Sequence, residues 1–105
     1  IFYPCVQIMS AEQFEHLLEQ IRQLPASKAL KIQYSIISPA EEVSVNAQGR
    51  LQISQSLRET SGLTKEIVVL GMDKHIEIWD KETYNEFMKK QREESYMDYL
   101  ELLRL

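Results

Sequence analysis

The chain has 105 residues and a formal net charge of −4, and 44% of its residues are hydrophobic. This length fits one domain with a small core, and the acidic balance argues against a free-standing nucleic-acid module, because such modules are usually basic. The single cysteine, Cys5, excludes an internal disulfide framework and fits a reducing cytoplasm. Neither a secretory leader nor an apolar run of about 18 residues is found, so the sequence predicts no export signal and no membrane span.

The chain opens on a predicted strand followed by a helix. Pro4 interrupts the strand candidate, and Cys5–Met9 is its cleaner half. Ser10 starts the helix, with Gln13 three residues on completing a capping box. The apolar face of this helix falls at helical spacing and consists of Phe14, Leu17, Leu18, Ile21 and Leu24.

A second helix is predicted over Ser27–Ile37, after Pro25 ends the first one. One of its sides carries Leu30, Tyr34 and Ile37, and the other carries Ile32 and Ile36. Ser38-Pro39 breaks this helix, because the residue before a proline is biased away from helical geometry.

The strongest strand signals lie between Glu42 and Trp79. Within this stretch, Val43–Ser54 alternates apolar and polar residues on both sides of Asn46-Ala47-Gln48-Gly49, which predicts a strand, a tight turn and a strand. Asn and Gly tolerate positive φ, and an Asn side chain can bond its own backbone two residues on. Arg50 leaves the turn at its end.

A short helix and a second hairpin are predicted next. Ser54 or Ser56 caps the helix, which ends at Gly62. The continuous apolar run Ile67–Leu70 is typical of a strand buried on both faces. A turn at residues 71–74 then leads to a strand at residues 76–79, which contains Ile76, Ile78 and Trp79.

The C-terminal part is predicted to be helical. Asp80 caps a long helix from Lys81, whose inward side carries Tyr84, Phe87 and Met88. The charge run Lys89–Arg92 reads as a solvated helix face, with a basic DNA contact as the alternative. Ser95 caps a further helical turn whose apolar side, Tyr96, Met97, Leu100 and Leu103, needs a partner in its own domain or in a neighbouring subunit.

Four segments in this order and spacing resemble the MraZ family of bacterial transcription regulators, which belongs to the AbrB-like swapped-hairpin superfamily. The segments are Asn46–Leu51 (NAQGRL), Leu57–Leu63 (LRETSGL), Lys65–Gly71 (KEIVVLG) and Ile76–Asp80 (IEIWD). They follow the second repeat of the family. One departure is Asn46, which stands where the family usually has Asp; Asn keeps the turn geometry but gives Arg50 no carboxylate partner.

The resemblance implies an α+β fold, namely a swapped-hairpin AbrB/MraZ-like β-barrel of two repeats with outer helices. Residues 1–38 would be the remnant of an incomplete first repeat, 39–92 the second repeat and 93–105 a C-terminal helical tail. It also implies a sequence-specific DNA-binding regulator of the division and cell-wall gene cluster, cytoplasmic and associated with the nucleoid, acting as a homo-oligomeric ring.

An internal repeat agrees with this expectation. Val6–Phe14 aligns with Ile76–Tyr84 at a constant offset of 70, and each copy is an apolar alternation, a cap residue, a Glu two later and an aromatic residue on the helix. Any strand followed by a capped helix has the same pattern, which is the alternative reading. If the repeat holds, the first copy lacks a hairpin of about the length of Val43–His75, and the chain is a fragment or a shortened relative.

The sequence shows no enzyme, cofactor or metal signature and predicts no small-molecule substrate. Cys5, His16 and His75 have unrelated spacings, whereas a zinc site needs four ligands in paired spacing. We read Cys5 as a buried strand residue and both histidines as surface or helix-face residues. The glycines are scattered, so no phosphate-cradling loop is predicted.

The DNA-binding candidates are the turn residues Asn46, Gln48, Gly49 and Arg50. A long planar donor at position 50 can reach a phosphate or a guanine edge, and its alternative role is a surface ion pair with a nearby glutamate. Gln48 lies at the turn tip and can reach DNA or remain merely solvated, and Gly49 serves backbone geometry. Arg58, on the short helix, is read as structural.

Two rival functions stay open. In the first, the chain oligomerises as a scaffold that has lost DNA binding. In the second, it is a small antitoxin-like or partner-binding module of the same superfamily. Salt-sensitive DNA binding argues against the first, and a co-purifying protein partner favours the second.

Overall fold

The computed structural model describes residues 4–93 and 97–103. Their helices and strands are, in chain order, β1 (Val6–Ile8), α1 (Ala11–Arg22), α2 (Ala26–Ile32) with a π-helical turn (Gln33–Ile37), α3 (Gln55–Thr60), β2 (Ile67–Gly71), β3 (Ile76–Asp80), α4 (Lys81–Glu93) and α5 (Met97–Leu100). The predicted cap at Ser95 lies outside the described residues. Among those residues, no helix combines the length and apolar character needed to cross a membrane.

The three strands form one antiparallel sheet in the order β1-β3-β2, so the chain has an α+β fold. β2 and β3 are a hairpin in which Val69 lies opposite Ile78, and the N–H of Met72 donates to the carbonyl of His75 at 2.9 Å across the turn. The predicted hairpin at residues 67–79 is therefore present.

The two segments that align at offset 70 lie side by side. β1 pairs with β3 so that Gln7 lies opposite Glu77, and these residue numbers differ by the offset itself. A capped helix follows each strand: the hydroxyl of Ser10 accepts a hydrogen bond from the N–H of Gln13 at 3.1 Å, and the carboxylate of Asp80 accepts one from the N–H of Thr83 at 3.4 Å. The paired strands are therefore related by a local twofold axis between Gln7 and Glu77.

The core is small and centres on Trp79, which is 1% exposed. Its ring centroid lies 4.8 Å from that of Phe87, with an angle of 32° between the ring planes. The ring centroid of Tyr84 lies 5.8 Å away, and the two rings meet edge to face at 69°. Both partners are on α4, so these ring contacts hold α4 against the sheet. The prediction that Tyr84 and Phe87 lie on the inward side of this helix agrees with this packing, and Met88, predicted on the same side, is half-buried. The other buried apolar residues are Val6, Ile21 and Ile78.

β2 is half-buried on one face and exposed on the other, so the prediction that both of its faces are buried was wrong. Val68 lies opposite Trp79 and shares the face that α4 covers. Ile67 and Val69 point to the other face, where Val69 is 60% exposed. β2 is an edge strand of an antiparallel sheet, and such sheets often pack one face only.

The flanks of the turn at residues 46–50 do not form strands in the described part of the chain. Val43 and Val45 are exposed, Val45 by 61%. The predicted turn is present, but the ladder of a strand pair is missing on either side of it. The alternating pattern at 43–53 predicted the extended backbone and not its pairing, because pairing depends on a neighbouring strand that local sequence does not specify.

α3 begins and ends as predicted. The hydroxyl of Ser54 accepts a hydrogen bond from the N–H of Leu57 at 3.2 Å. At the other end Gly62 has φ +71°, and the N–H groups of Gly62 and Leu63 donate to the carbonyls of Glu59 and Arg58 at 3.2 and 2.8 Å. This pair of bonds is a Schellman motif, which a left-handed residue closes.

Gly62→Ala is expected to lower the free energy of unfolding by about 1 kcal/mol, because a Cβ is strained at positive φ. Denaturant titration followed by circular dichroism measures the loss. Gly71→Ala is the matched control, since Gly71 does not have positive φ and an added Cβ there meets nothing within 4 Å. An equal loss in both variants would contradict the role assigned to Gly62.

Glu77 is a buried carboxylate in the sheet, 8% exposed. One carboxylate oxygen accepts a hydrogen bond from the indole N–H of Trp79 at 2.9 Å, and the other lies 2.7 Å from Nε2 of His75. Burial opposes ionisation of this carboxyl, but the hydrogen bonds from His75 and Trp79 outweigh it and hold the pKa of Glu77 below its ordinary value of 4.5.

The lowered pKa of Glu77 predicts how the free energy of unfolding depends on pH. The contribution of Glu77 is present above pH 4.5, where the carboxyl is ionised in both states, and is lost as the pH falls through the lower folded pKa. Glu77→Gln keeps a hydrogen-bond acceptor but cannot titrate. We therefore expect the stability difference between the native chain and Glu77→Gln to shrink as the pH falls below 4.5. A difference that stays constant with pH would contradict this linkage.

Candidate nucleic-acid interface

The turn at residues 46–50 is held by hydrogen bonds that all involve Asn46. Its N–H donates to the carbonyl of Arg50 at 2.7 Å, and its carbonyl accepts from the N–H of Gly49 at 3.0 Å. Its side-chain oxygen accepts from the N–H groups of Gln48 and Arg50, at 3.0 and 2.8 Å. Gly49 has φ +76°, which explains a glycine at this position. The turn is thus ordered by its own short-range bonds.

Sequence reasoning predicted one of the two side-chain bonds of Asn46. The bond to Gln48 is the expected link two residues on. The bond to Arg50, four residues on, was missed, although a short acceptor followed by a glycine three positions later is a signal for a wider turn. The second bond matters because it fixes the backbone at Arg50.

All residues from Glu41 to Arg50 are exposed. None of the ion pairs formed within residues 4–93 and 97–103 involves Arg50. The alternative role of Arg50, an ion pair with Glu41 or Glu42, is therefore not seen in the described chain. An exposed guanidinium on an ordered turn is suited to bind a phosphate or a base edge.

A buried carboxylate fixes the segment that joins α3 to β2. One oxygen of Asp80 accepts hydrogen bonds from the N–H and the hydroxyl of Thr64, at 3.1 and 2.5 Å. The bond from the Thr64 hydroxyl, aided by those from Thr83, holds the pKa of Asp80 below its ordinary value of 3.8 against the opposing effect of burial. Asp80 was predicted only as a helix cap, and the link to Thr64 was missed because it spans sixteen residues.

The other candidate groups do not form a common site. Nε2 of His16 lies 3.9 Å from Glu12 on the surface of α1, whereas His75 bonds Glu77 in the sheet. Burial and the nearby Glu77 carboxylate raise the pKa of the Cys5 thiol to about 11, so this half-buried thiol is protonated at neutral pH. No group of three or more such side chains that could hold a metal occurs among the residues that the structure describes.

The remaining arginine and lysine candidates lie on helix surfaces. Arg58 is exposed on α3, and Lys89, Lys90 and Arg92 are exposed near the end of α4. A solvated helix face is the reading that fits the charge run at 89–92. The turn thus combines an ordered backbone with an exposed arginine outside the helices.

Replacing Asn46 tests whether its side chain orders the turn. Asn46→Ala removes the acceptor, so we expect the amides of Gln48 and Arg50 to lose protection from hydrogen exchange, measured by NMR. Global stability should change by less than about 1 kcal/mol, because both bonds are exposed. Asn46→Asp retains an acceptor oxygen and should keep the protection. Unchanged exchange in Asn46→Ala would show that the backbone bonds suffice.

The chain was compared with protein-family models. The model described as "MraZ protein, putative antitoxin-like" matches residues 36–102, which is more than half of the chain. The match includes the turn, α3, the β2–β3 hairpin and α4.

Proposed function

Since the chain belongs to the MraZ family, we propose that it is a DNA-binding transcriptional regulator that contacts DNA through the turn at residues 46–50. The observation that carries the proposal is the pre-ordered backbone at Arg50, a residue whose N–H donates to Asn46 and which lies in an exposed segment. Arg50 donates to phosphate or a guanine edge, Gln48 supplies a second polar contact, and Gly49 lets the backbone turn.

Asn46 contributes by adding no negative charge to the turn, so that the turn keeps the positive charge of Arg50. Its amide oxygen is used by two backbone N–H groups, and an amide carries no negative charge to repel phosphate. A carboxylate at this position would compete with DNA for Arg50. The departure from the usual Asp is therefore compatible with DNA contact.

One turn of this size binds DNA weakly, so the proposal includes an oligomer, as a ring. In a ring each subunit presents one turn, and binding by one turn raises the effective concentration of the next at the neighbouring site. Several arginines then meet DNA together although each chain carries a net charge of −4. The affinity must fall steeply with salt, because each phosphate contact releases counterions.

The surface of the isolated chain supports such an assembly. Its accessible surface is 9062 Å², whereas a compact chain of 12.3 kDa exposes about 6,100 Å². Its radius of gyration is 16.0 Å against about 13 Å for a compact domain of this length. The excess surface includes apolar side chains at Val43, Val45 and Val69.

We assign that excess surface to a swapped-hairpin barrel completed in the assembled protein. In this arrangement residues 1–38 belong to a first repeat, 39–92 to a second and 93–105 to a helical tail. The pairing of Gln7 with Glu77 supports two repeats, because it relates the two strands that align at offset 70 by a local twofold axis. The regulator acts where its DNA is, at the nucleoid.

DNA binding measured against salt tests the proposal. We expect a promoter fragment from the division gene cluster to bind with an affinity that falls as salt rises. Arg50→Ala should weaken binding by about tenfold or more at fixed salt, the cost of losing one good arginine contact. Arg50→Lys keeps the charge and should recover the salt dependence, but not the full affinity if the contact is bidentate.

Arg58→Ala is the matched control, because it removes the same charge from an exposed position on α3. An equal loss in Arg58→Ala and Arg50→Ala would show that binding depends on total charge and not on the turn. If the native chain fails to bind at low salt while it still oligomerises, it is an assembly scaffold without DNA-binding function.

A partner-binding role is the second candidate, since the description of the matching family model contains the term antitoxin-like. The exposed apolar side of β2, with Ile67 and Val69, provides a surface for a protein partner. Co-purification of one defined partner in fixed ratio, with loss of DNA binding in the complex, would favour this function.

A further inference from the structure

A groove of about 190 Å³ lies between α1, the end of β1 and the β2–β3 turn. Met9 and Leu17 supply its apolar wall, and Gln7, Gln13 and Lys74 supply polar groups. The groove is remote in sequence from the turn at residues 46–50, and its possible role is independent of the proposed DNA binding.

The offset of 70 identifies the residues of β3 and α4 that correspond to those lining the groove. We call β1 and α1 the first half and β3 and α4 the second half. Met9 corresponds to Trp79, and Leu17 corresponds to Phe87. There the indole ring of Trp79 lies 4.8 Å from Phe87 and fills the space between strand and helix. Between β3 and α4 a planar ring of this size thus fits between strand and helix. At the aligned positions Met9 and Leu17 are smaller than Trp79 and Phe87, and they line an open groove.

The polar partner of that ring also has a counterpart. In the second half the carboxylate of Glu77 accepts a hydrogen bond from the indole N–H at 2.9 Å. Gln7, which corresponds to Glu77 and lies opposite it in the register, lines the groove. A side-chain amide carbonyl accepts from a ring N–H as a carboxylate does. Both the room for a ring and the acceptor for its N–H are thus present.

Charge at the mouth of the groove favours a negatively charged substituent on the ring. Lys74 is exposed at the β2–β3 turn and forms none of the ion pairs recorded for the described residues. His75 also lines the groove, but its Nε2 already lies 2.7 Å from Glu77. His16 lines the groove as well, but its Nε2 lies 3.9 Å from Glu12. Lys74 is therefore the side chain of the lining that is best placed for an anionic group.

We propose that this groove binds a small planar heteroaromatic molecule that carries a ring N–H and an anionic substituent. The ring lies against Met9 and Leu17 in the position that Trp79 takes in the second half. Gln7 accepts from the ring N–H, and Lys74 binds the anionic group. Sequence analysis missed this site, because its residues come from three elements and contain no motif.

Titration of the 105-residue chain with three probes, followed by NMR, tests the site. Indole-3-acetate offers ring and charge, indole offers the ring alone, and cyclohexanecarboxylate offers the charge on a ring that is not planar. We expect indole-3-acetate to shift the side-chain amide signals of Gln7 and Gln13 with a Kd of about 1 mM or below. Indole should bind several-fold more weakly, and cyclohexanecarboxylate should not saturate.

Variants separate this site from unspecific adsorption. Met9→Trp places an indole in the groove and should abolish saturable binding while the melting temperature is kept. Lys74→Ala should weaken indole-3-acetate at least threefold and leave indole unchanged, and Lys65→Ala, which removes an exposed lysine outside the groove, should affect neither. Gln7→Leu should weaken both ring probes and decides the question if Met9→Trp does not fold.

Three results would overturn the proposal. They are an absence of saturable binding by both ring probes, binding that a folded Met9→Trp variant retains, and equal effects of Lys74→Ala and Lys65→Ala. None of these measurements contains DNA, so their outcome does not depend on the DNA-binding role.

Discussion

The packing of Trp79 is the interaction on which the rest of the structure depends. Its ring contacts Phe87 and Tyr84 and so fixes α4 on one face of the sheet. Its N–H satisfies one oxygen of Glu77, whose other oxygen bonds His75 next to the hairpin turn. A single side chain therefore couples the helix, the central strand and the polar interior. Aromatic pairs of this kind contribute about 0.5–1.5 kcal/mol beyond the area they bury.

Local features could be predicted from the sequence, whereas contacts between residues that are far apart in the sequence could not. Ser10, Ser54 and Gly62 gave correct helix ends, because capping depends on residues within one turn of the helix. The hairpin at residues 67–80 followed from its apolar runs. The exposed outer face of β2 could not be predicted from its four consecutive apolar residues, because such a run fits a strand buried on one face or on both. Which of the two forms depends on what packs on the sheet.

The candidate DNA site shows the same difference between local features and long-range contacts. The turn and the roles of Asn46 and Gly49 follow from residue chemistry, and the structure adds the bond that fixes Arg50. The flanking residues Val43–Ser54 have the pattern of strands, yet the described chain gives them no partner strand. The alternation of apolar and polar residues predicts a half-buried strand, but it does not identify the strand that would pair with it. The link between Thr64 and Asp80 was beyond prediction for the same reason.

The register of β1 and β3 has a consequence for which charges the sheet tolerates. Gln7 lies directly opposite the buried carboxylate of Glu77. Two glutamates so opposed would repel at a Cβ separation of about 5 Å. The neutral amide of Gln7 therefore lets the central strand keep an ionised acid next to its neighbour.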